Sequence, residues 1–327
     1  MKVLVTGASG FLGGHVAEAL AARGDLVRAM VRKTSKRDHL EKLPSVELFE
    51  GSVEDAQRTA QALEGVDAVV HVAGLVKARD VDEFFAVNVG GTSNLVEAAR
   101  RRSTPPRRFI FVSSLTACGP SADGSPVPAD QETPNNAYGR SKLAAEKVVL
   151  AAQGDMRVVI LRPGAIYGPR DGEILKVFRT VKGGLLPLVA GGQAKGSWVY
   201  ATDCAEACLR ALDADVASGG RYFVDDGCGA VTQKQLFDDI EKALGKRALF
   251  RTDLPRGFVM GVAKGLETFG RLIDRPAMFT PEKADMLLQH WVCSSEDTRR
   301  DLGWEPKVAW SVGLRRAVDW YRENGWL

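Results

Sequence analysis

The sequence predicts an α/β fold, a doubly wound parallel sheet followed by a smaller, mostly helical C-terminal region. Three observations predict it. Short apolar runs alternate with helical patterns of about ten or more residues through the first half, the signature of βαβ units with right-handed crossovers. Glycines cluster between the first apolar run and the first helical pattern. After Arg162-Pro163 the texture changes, and Gly168-Pro169, Gly183-Gly184 and Gly191-Gly192 break the chain into short pieces.

Taken in order, Val3-Leu4-Val5 reads as a strand. Val16 and Leu20, with the alanines between them, form the apolar face of a helix that ends at Gly24. Leu26 to Val31 alternates as a strand does, Val46 to Phe49 is another, and a helix is predicted from Ala56 to Leu63. Ala68 to Val72 is nearly all apolar, as a strand covered on both faces would be. A helix through Asn88 to Arg102 leads to a strand from Arg108 to Val112, and a helix from Tyr138 to Ala152 leads to a strand from Val158 to Leu161. Ser121 to Asn136, between them, is polar and turn-rich and reads as a loop. Asp203 to Leu212 resumes a helix and Arg221 to Val224 adds a strand. From about Val231 the pattern is helical, with Trp291 to Ser294 extended and Trp310 to Tyr321 closing the chain. A chain of 327 residues exceeds what one core usually holds, so two domains are expected. Residues 1–165, completed by segments near 197–226, form the sheet domain; 166–196 and 227–327 form a domain that covers a substrate.

Lys plus Arg total 44 against 41 for Asp plus Glu, and a net charge of +3 gives no basis for nucleic acid as a partner. Arg100-Arg101-Arg102 and Arg107-Arg108 flank Pro105-Pro106 and read as a solvated helix end and loop. Five widely spread cysteines do not make a disulfide framework, which favours a reducing compartment. Cys204 and Cys208 lie four apart in a predicted helix with no histidine nearby; they read as small core residues, and no metal site is expected. Met1-Lys2 precedes only Val3-Leu4-Val5 before the glycines, so no signal peptide is expected, and no run of about 18 apolar residues suggests a spanning helix. These points favour a cytoplasmic location. Leu254 to Ile273 is apolar with sparse basic residues, which suits a lid over an apolar pocket or a contact with a membrane surface.

Thr6-Gly7-Ala8-Ser9-Gly10-Phe11-Leu12-Gly13 lies between the first strand and the first helix. Glycines there permit a tight turn, admit a pyrophosphate to the backbone and let the helix pack closely on the sheet, while the helix N-terminus faces the negative charge. Gly7, Ser9, Gly10, Phe11, Leu12 and Gly13 are therefore candidate dinucleotide contacts, and the fold is of the Rossmann type. The second strand ends at Val31-Arg32-Lys33, where an acidic residue would suit the ribose of NAD and arginine the 2′-phosphate of NADP. Arg32, with Lys33 or Lys36 beside it, favours NADP.

Tyr138 and Lys142 lie four apart on one helix face, so a phenol and an ammonium can act together. An ammonium stabilises a phenolate, which brings a tyrosine closer to acid/base work at neutral pH. With the glycine loop and the preceding Ser113-Ser114, this pair closely resembles the extended branch of the short-chain dehydrogenase/reductase family. The resemblance continues through Leu161-Arg162-Pro163-Gly164, Tyr167-Gly168-Pro169-Arg170, the Trp198 to Ala205 stretch and Leu302-Gly303-Trp304-Glu305-Pro306, and so covers nearly the whole chain. It implies Tyr138 as the general acid/base, Lys142 as the holder of the nicotinamide ribose that also lowers the tyrosine pKa, and Ser114, five residues before Gly119, as the binder of the substrate oxygen. Ser113 would lie beside the cofactor. Asn88 would support the active site from near the cofactor, and Ala73, Gly74, Pro163 and Ile166 would line the cofactor. The resemblance also implies a homodimer.

Two features need separate readings. Where the family usually places an aspartate near the adenine, the chain has Gly51-Ser52-Val53, with Glu54 and Asp55 beyond, so Ser52 and Val53 are the candidate contacts. His71, inside a predicted strand, reads as a neutral packed side chain. Three reactions compete within the resemblance. Sugar-nucleotide 4,6-dehydratases follow the catalytic hydroxyl residue with an Asp-Glu pair, and here Ser114-Leu115-Thr116 stands instead. Sugar-nucleotide epimerases would keep NAD⁺ bound and need cations for a diphosphate, which Arg179, Lys182, Lys195, Arg247 and Arg251 could supply. The group that resembles hydroxysteroid dehydrogenases and dihydroflavonol reductases fits the Arg32 region and the apolar C-terminal segment better. It implies hydride exchange with the ketone or secondary alcohol of a small or medium apolar substrate. A non-catalytic, nucleotide-sensing member of the fold is the reading from a different class; the tyrosine–lysine pair speaks against it.

Overall fold

A computed structural model describes residues 1–272 and 280–327; Ile273, the last residue of the apolar segment noted above, lies outside the described residues. Strand and helix alternate from the start. β1 (Lys2–Thr6), α1 (Phe11–Arg23), β2 (Leu26–Val31), α2 (Asp38–Glu41), β3 (Val46–Glu50) and α3 (Ala56–Ala62) build one half of a sheet. β4 (Ala68–His71), α4 (Val81–Phe85), α5 (Gly91–Arg100), β5 (Arg108–Val112), α6 (Ala137–Leu150) and β6 (Arg157–Pro163) build the other. After them come β7 (Ala165–Tyr167), α7 (Ile174–Lys182), β8 (Leu185–Val189), β9 (Lys195–Gly196), β10 (Trp198–Tyr200), α8 (Ala201–Asp213) and β11 (Gly220–Val224). The chain ends with β12 (Val231–Thr232), α9 (Gln233–Leu244), β13 (Phe250–Leu254), α10 (Arg256–Leu272), α11 (Pro281–Leu288), α12 (Glu296–Leu302) and α13 (Trp310–Glu323).

Seven strands form one parallel sheet in the order β11-β6-β5-β4-β1-β2-β3. Chain order reverses between β1 and β4, and the crevice at the C-terminal ends of those strands is where such sheets bind ligands. Both faces are covered, which is why the strands read as near-continuous apolar runs. Val3, Val5, Val27, Ala29, Val70 and Ile110 pack under α1 and α8, where Cys204 and Cys208 are core residues as their spacing suggested. Leu4, Val69, Phe109, Phe111 and Ile160 pack under α3, α5 and α6.

A second core gathers Tyr167, Phe178, Trp198, Tyr200, Trp310 and Tyr321 from β7, α7, β10 and α13. The late sequence landmarks meet around Asp203. Its backbone carbonyl accepts from the buried Trp304 indole at 2.9 Å, and its carboxylate accepts from the N–H groups of Lys307 and Val308. His290 and Val292 bind the turn-rich segment after β5, their carbonyls accepting from Ser121 N–H at 2.8 Å and Val127 N–H at 3.0 Å.

Two local features differ from the sequence reading. The segment after Val231 is not helical throughout, because β13 pairs in parallel with β8. Its sequence, FRTDL, is mostly exposed and carries too short an alternation to stand out. The helix through Asn88 begins earlier, at Val81, and passes through one wide π turn over Ala86–Gly90. Such turns leave no local sequence mark and often sit at functional positions.

Candidate active site

The glycine loop is a cradle that larger residues could not form. Gly7 has φ +69°, and a Cβ there would come 2.8 Å from the Ala73 nitrogen; a Cβ on Gly13 would come 2.1 Å from the Gly7 carbonyl oxygen. Gly10 is the N-cap of α1 and no side chain caps it, so the first-turn N–H groups are available to an anion. Gly7, Ser9, Gly10, Phe11, Leu12 and Gly13 all line one cleft of about 510 Å³. This fits the pyrophosphate of a dinucleotide. Gly13→Ala is expected to push α1 off the loop, costing about 1–3 kcal/mol and at least about tenfold in dinucleotide affinity. Thermal melting and a fluorescence titration check this, and parental values for both would contradict the cradle.

Around the cleft, Arg32, Ser35 and Lys36 lie past the end of β2, and Gly51, Ser52, Val53 and Glu54 past the end of β3. The Ser52 hydroxyl donates to Glu54 at 3.1 Å. Val53 turns its side chain inward against Gly91, where a Cβ would come within 2.6 Å of it. Ala73 and Gly74 follow β4 and line the same wall. Ala73 N–H donates to the Thr6 hydroxyl at 3.2 Å, and that hydroxyl also meets His71 Nδ1 at 2.7 Å. His71 Nε2 meets Thr92 at 2.9 Å. Burial, with the charge of Lys142 adding to it, pushes the His71 pKa down to about 3. It is a neutral link between β1, β4 and α5, as read from the sequence.

Asn88 and Pro163 are both buried, and Ile166 lines the cleft. The Asn88 amide accepts from Leu75 N–H at 2.7 Å and donates to the Leu75 carbonyl at 3.1 Å and to Ser141 Oγ at 2.9 Å. It fixes the loop after β4 against α6, one residue before Lys142.

The reacting groups come from α6 and from the end of β5. Asn136 caps α6, accepting from Gly139 N–H at 2.7 Å. Gly139 is what lets α6 approach: a Cβ there would sit 2.3 Å from the Thr116 carbonyl oxygen, in the loop that carries Ser114. The Ser114 hydroxyl accepts from Thr116 N–H at 3.2 Å and from the Thr116 hydroxyl at 2.9 Å, and lies against the Tyr138 phenol. Ser113 and Tyr138 line the cleft with Lys142. Lys142 Nζ donates to the Val112 carbonyl at 2.6 Å and stands 4.3 Å from the centre of the Phe111 ring.

Burial is the largest influence on both reacting groups. Burial pushes Tyr138 up to about 12, with the Ser114 hydrogen bond opposing it. Burial brings Lys142 down to about 8, with Glu146 opposing. Raised in this way, the phenol is protonated at neutral pH. A protonated phenol beside a hydroxyl is a proton donor with an orienting partner.

Sequence reasoning missed Gly139, Ser141 and Glu146. The signal for Glu146 was present, since 138, 142 and 146 repeat every four residues on one face of α6. Glu146 is fully buried, accepts from Ser113 Oγ, and pairs with Arg162 through Nε at 2.9 Å and Nη2 at 2.6 Å.

A family model described as NAD dependent epimerase/dehydratase matches residues 3–224. The chain is 32% identical to a ceramide reductase of Caulobacter vibrioides, over 99% of this chain and 96% of that one. It is 30% identical to a 2-alkyl-3-oxoalkanoate reductase of Stenotrophomonas maltophilia, over 97% and 98%. Among solved structures, the UDP-glucose 4-epimerase of Thermus thermophilus in complex with NAD superposes with a TM-score of 0.78 at 27% identity, covering 98% of this chain and 99% of that one. The family match and the glycine cradle both support a nicotinamide dinucleotide as cofactor. The chain belongs to the NAD-dependent epimerase/dehydratase family, and within it to the extended short-chain dehydrogenase/reductases.

Proposed function

We propose that the chain is an NADP(H)-preferring reductase that interconverts a ketone and a secondary alcohol on a small or medium apolar substrate. The observation that carries this reading is that Tyr138, hydrogen-bonded to Ser114, shares one cleft with Lys142 and a set of apolar residues. Leu75, Val76, Val87 and Ile166 line the same cleft as Tyr138, and the Phe84 ring lies 6.0 Å from the phenol ring. The similarity to two proteins named as reductases supports the same direction.

The bound nicotinamide supplies or accepts the hydride. Ser114 holds the substrate oxygen and Tyr138 delivers its proton there, each acting where charge develops. Lys142 holds the nicotinamide ribose through its ammonium. Ser113, Ala73, Gly74 and Ile166 shape the wall, with Asn88 and Pro163 supporting it. Residues 1–165 with the segments near 197–226 hold the dinucleotide, and 166–196 with 227–327 cover the substrate, in a cytoplasmic homodimer. Two cations that could meet a sugar-nucleotide diphosphate are engaged elsewhere, Arg179 with the Trp326 carbonyl and Arg251 with Asp238 and Glu241.

Arg32 and Lys36 give the preference for NADP(H). Arg32→Ala is expected to weaken NADPH binding about ten- to hundredfold and to leave NADH binding nearly unchanged. Parallel fluorescence titrations measure both, and equal losses for the two nucleotides would remove the 2′-phosphate contact. NADPH consumption with apolar ketones, set against UDP-glucose epimerisation, tests the reaction itself.

A further inference from the structure

α10 has an apolar surface wider than its packing uses. Val259 and Ala263 are buried in a small core with Val189 of β8 and Ala284 of α11. Next to them, Phe258, Val262, Leu266 and Phe269 form a second stripe, confined to an arc of roughly 80° at helical spacing. That stripe faces solvent, with Phe258 59% and Phe269 58% exposed. A second exposed apolar group stands at the start of the strand pair that leads into α10: Leu249 is 78% and Phe250 69% exposed, and Phe250 is in register with the exposed Leu185. Thirteen large apolar side chains stand exposed among the described residues, and eight of them belong to β8, β13, the residue before β13, α10 and α11. Scattered apolar residues need no explanation, but a concentration of this kind marks a contact surface.

Charge selects the partner. Residues 245–272 hold six Lys and Arg against two Asp and Glu, a net +4 in a chain whose whole balance is +3. Asp285 partly offsets Arg256, and Asp238 and Glu241 partly offset Arg251. Lys246 donates to the Lys182 carbonyl, an uncharged acceptor. In a two-fold dimer built on this face the basic segment would meet its own copy, which like charges disfavour. An anionic surface has no such penalty.

We propose that the outer face of α10, with Leu185, Leu249 and Phe250, docks on an anionic lipid bilayer. The aromatic and aliphatic side chains enter the acyl boundary and the lysines and arginines meet the headgroups. The docked face also connects to the reacting groups. α11, packed on α10, reaches the start of α6, where Glu282 accepts from Ala137 N–H at 2.5 Å, one residue before Tyr138. An apolar ketone could then pass from bilayer to cleft with little exposure to water. That use rests on the reductase reading; the docking does not.

Co-sedimentation of the purified full chain with phosphatidylcholine vesicles, with and without about 30% phosphatidylglycerol, tests the proposal without any substrate. The expected result is binding to the anionic vesicles at least about tenfold stronger than to the neutral ones, reduced by added salt. Phe258→Ser/Leu266→Ser/Phe269→Ser should remove it, and Lys246→Gln/Arg247→Gln/Lys264→Gln should remove the preference for anionic lipid. Unchanged NADPH affinity and melting temperature show that both variants are folded. Failure to bind either vesicle, or equal binding to both, overturns the proposal. So does a concentration-dependent dimer that the apolar variant abolishes, which would assign the face to a second copy.

Discussion

Tyr138→Phe is expected to lower turnover about 10²- to 10⁴-fold while NADPH affinity stays within about twofold of the parent. The substitution removes one oxygen from the first turn of α6 and leaves Asn136, Gly139 and Lys142 to hold the helix as before. The phenol is kept protonated by burial, with a pKa of about 12, so in the direction of reduction its proton is available throughout the neutral range. Lys142 sets the alkaline limit. Its pKa lies at about 8, and a neutral amine loses charge-assisted donation to the ribose, so turnover should decline as pH rises through that value. Steady-state kinetics across pH 6–10, with ligand titrations on both proteins, measure these effects. Turnover by the phenylalanine variant at near-parental rate would take the proton from another group, and the assignment of Tyr138 would fail.

Glu146→Ala is expected to destabilise the fold by about 3–5 kcal/mol. Both members of the Glu146–Arg162 pair are fully buried, and removing the carboxylate leaves a guanidinium in the interior with, among the described residues, the Ala129 carbonyl and the Cys118 sulfur as its hydrogen-bond partners. Ser113 would lose its acceptor on the same wall that holds Ser114. Replacing both ions, as in Glu146→Leu with Arg162→Met, should recover most of the loss, because the penalty comes from the unpaired charge and less from the missing attraction. Urea unfolding of the single and double variants measures it. A single variant within about 1 kcal/mol of the parent would show that water reaches the guanidinium.

Residue chemistry with a fixed local spacing was legible in the sequence. The glycine loop needs its glycines because backbone meets backbone there, and Tyr138 and Lys142 need a separation of four to share a helix face. The continuous apolar runs of β1, β4 and β5 revealed a sheet covered on both sides. What depends on distant neighbours was not legible. The parallel pair of β8 and β13 joins residues 65 apart in sequence, and the alternation of β13, FRTDL, is too short to stand out. The π turn around Asn88 has no local signature, and its purpose, joining Leu75 to Ser141, shows only when β4 and α6 stand side by side. The Lys142 bond to the Val112 carbonyl was also hidden, because spacing places the lysine on the tyrosine's helix face but does not say what else it meets.

The most direct test of the reductase account is the nucleotide that the protein carries and prefers. Purified protein should arrive free of NAD⁺, as shown by chromatography of an acid extract, and should bind NADP(H) at least about tenfold more tightly than NAD(H). Stoichiometric NAD⁺ retained through purification would contradict the account and point to an epimerase that keeps its cofactor.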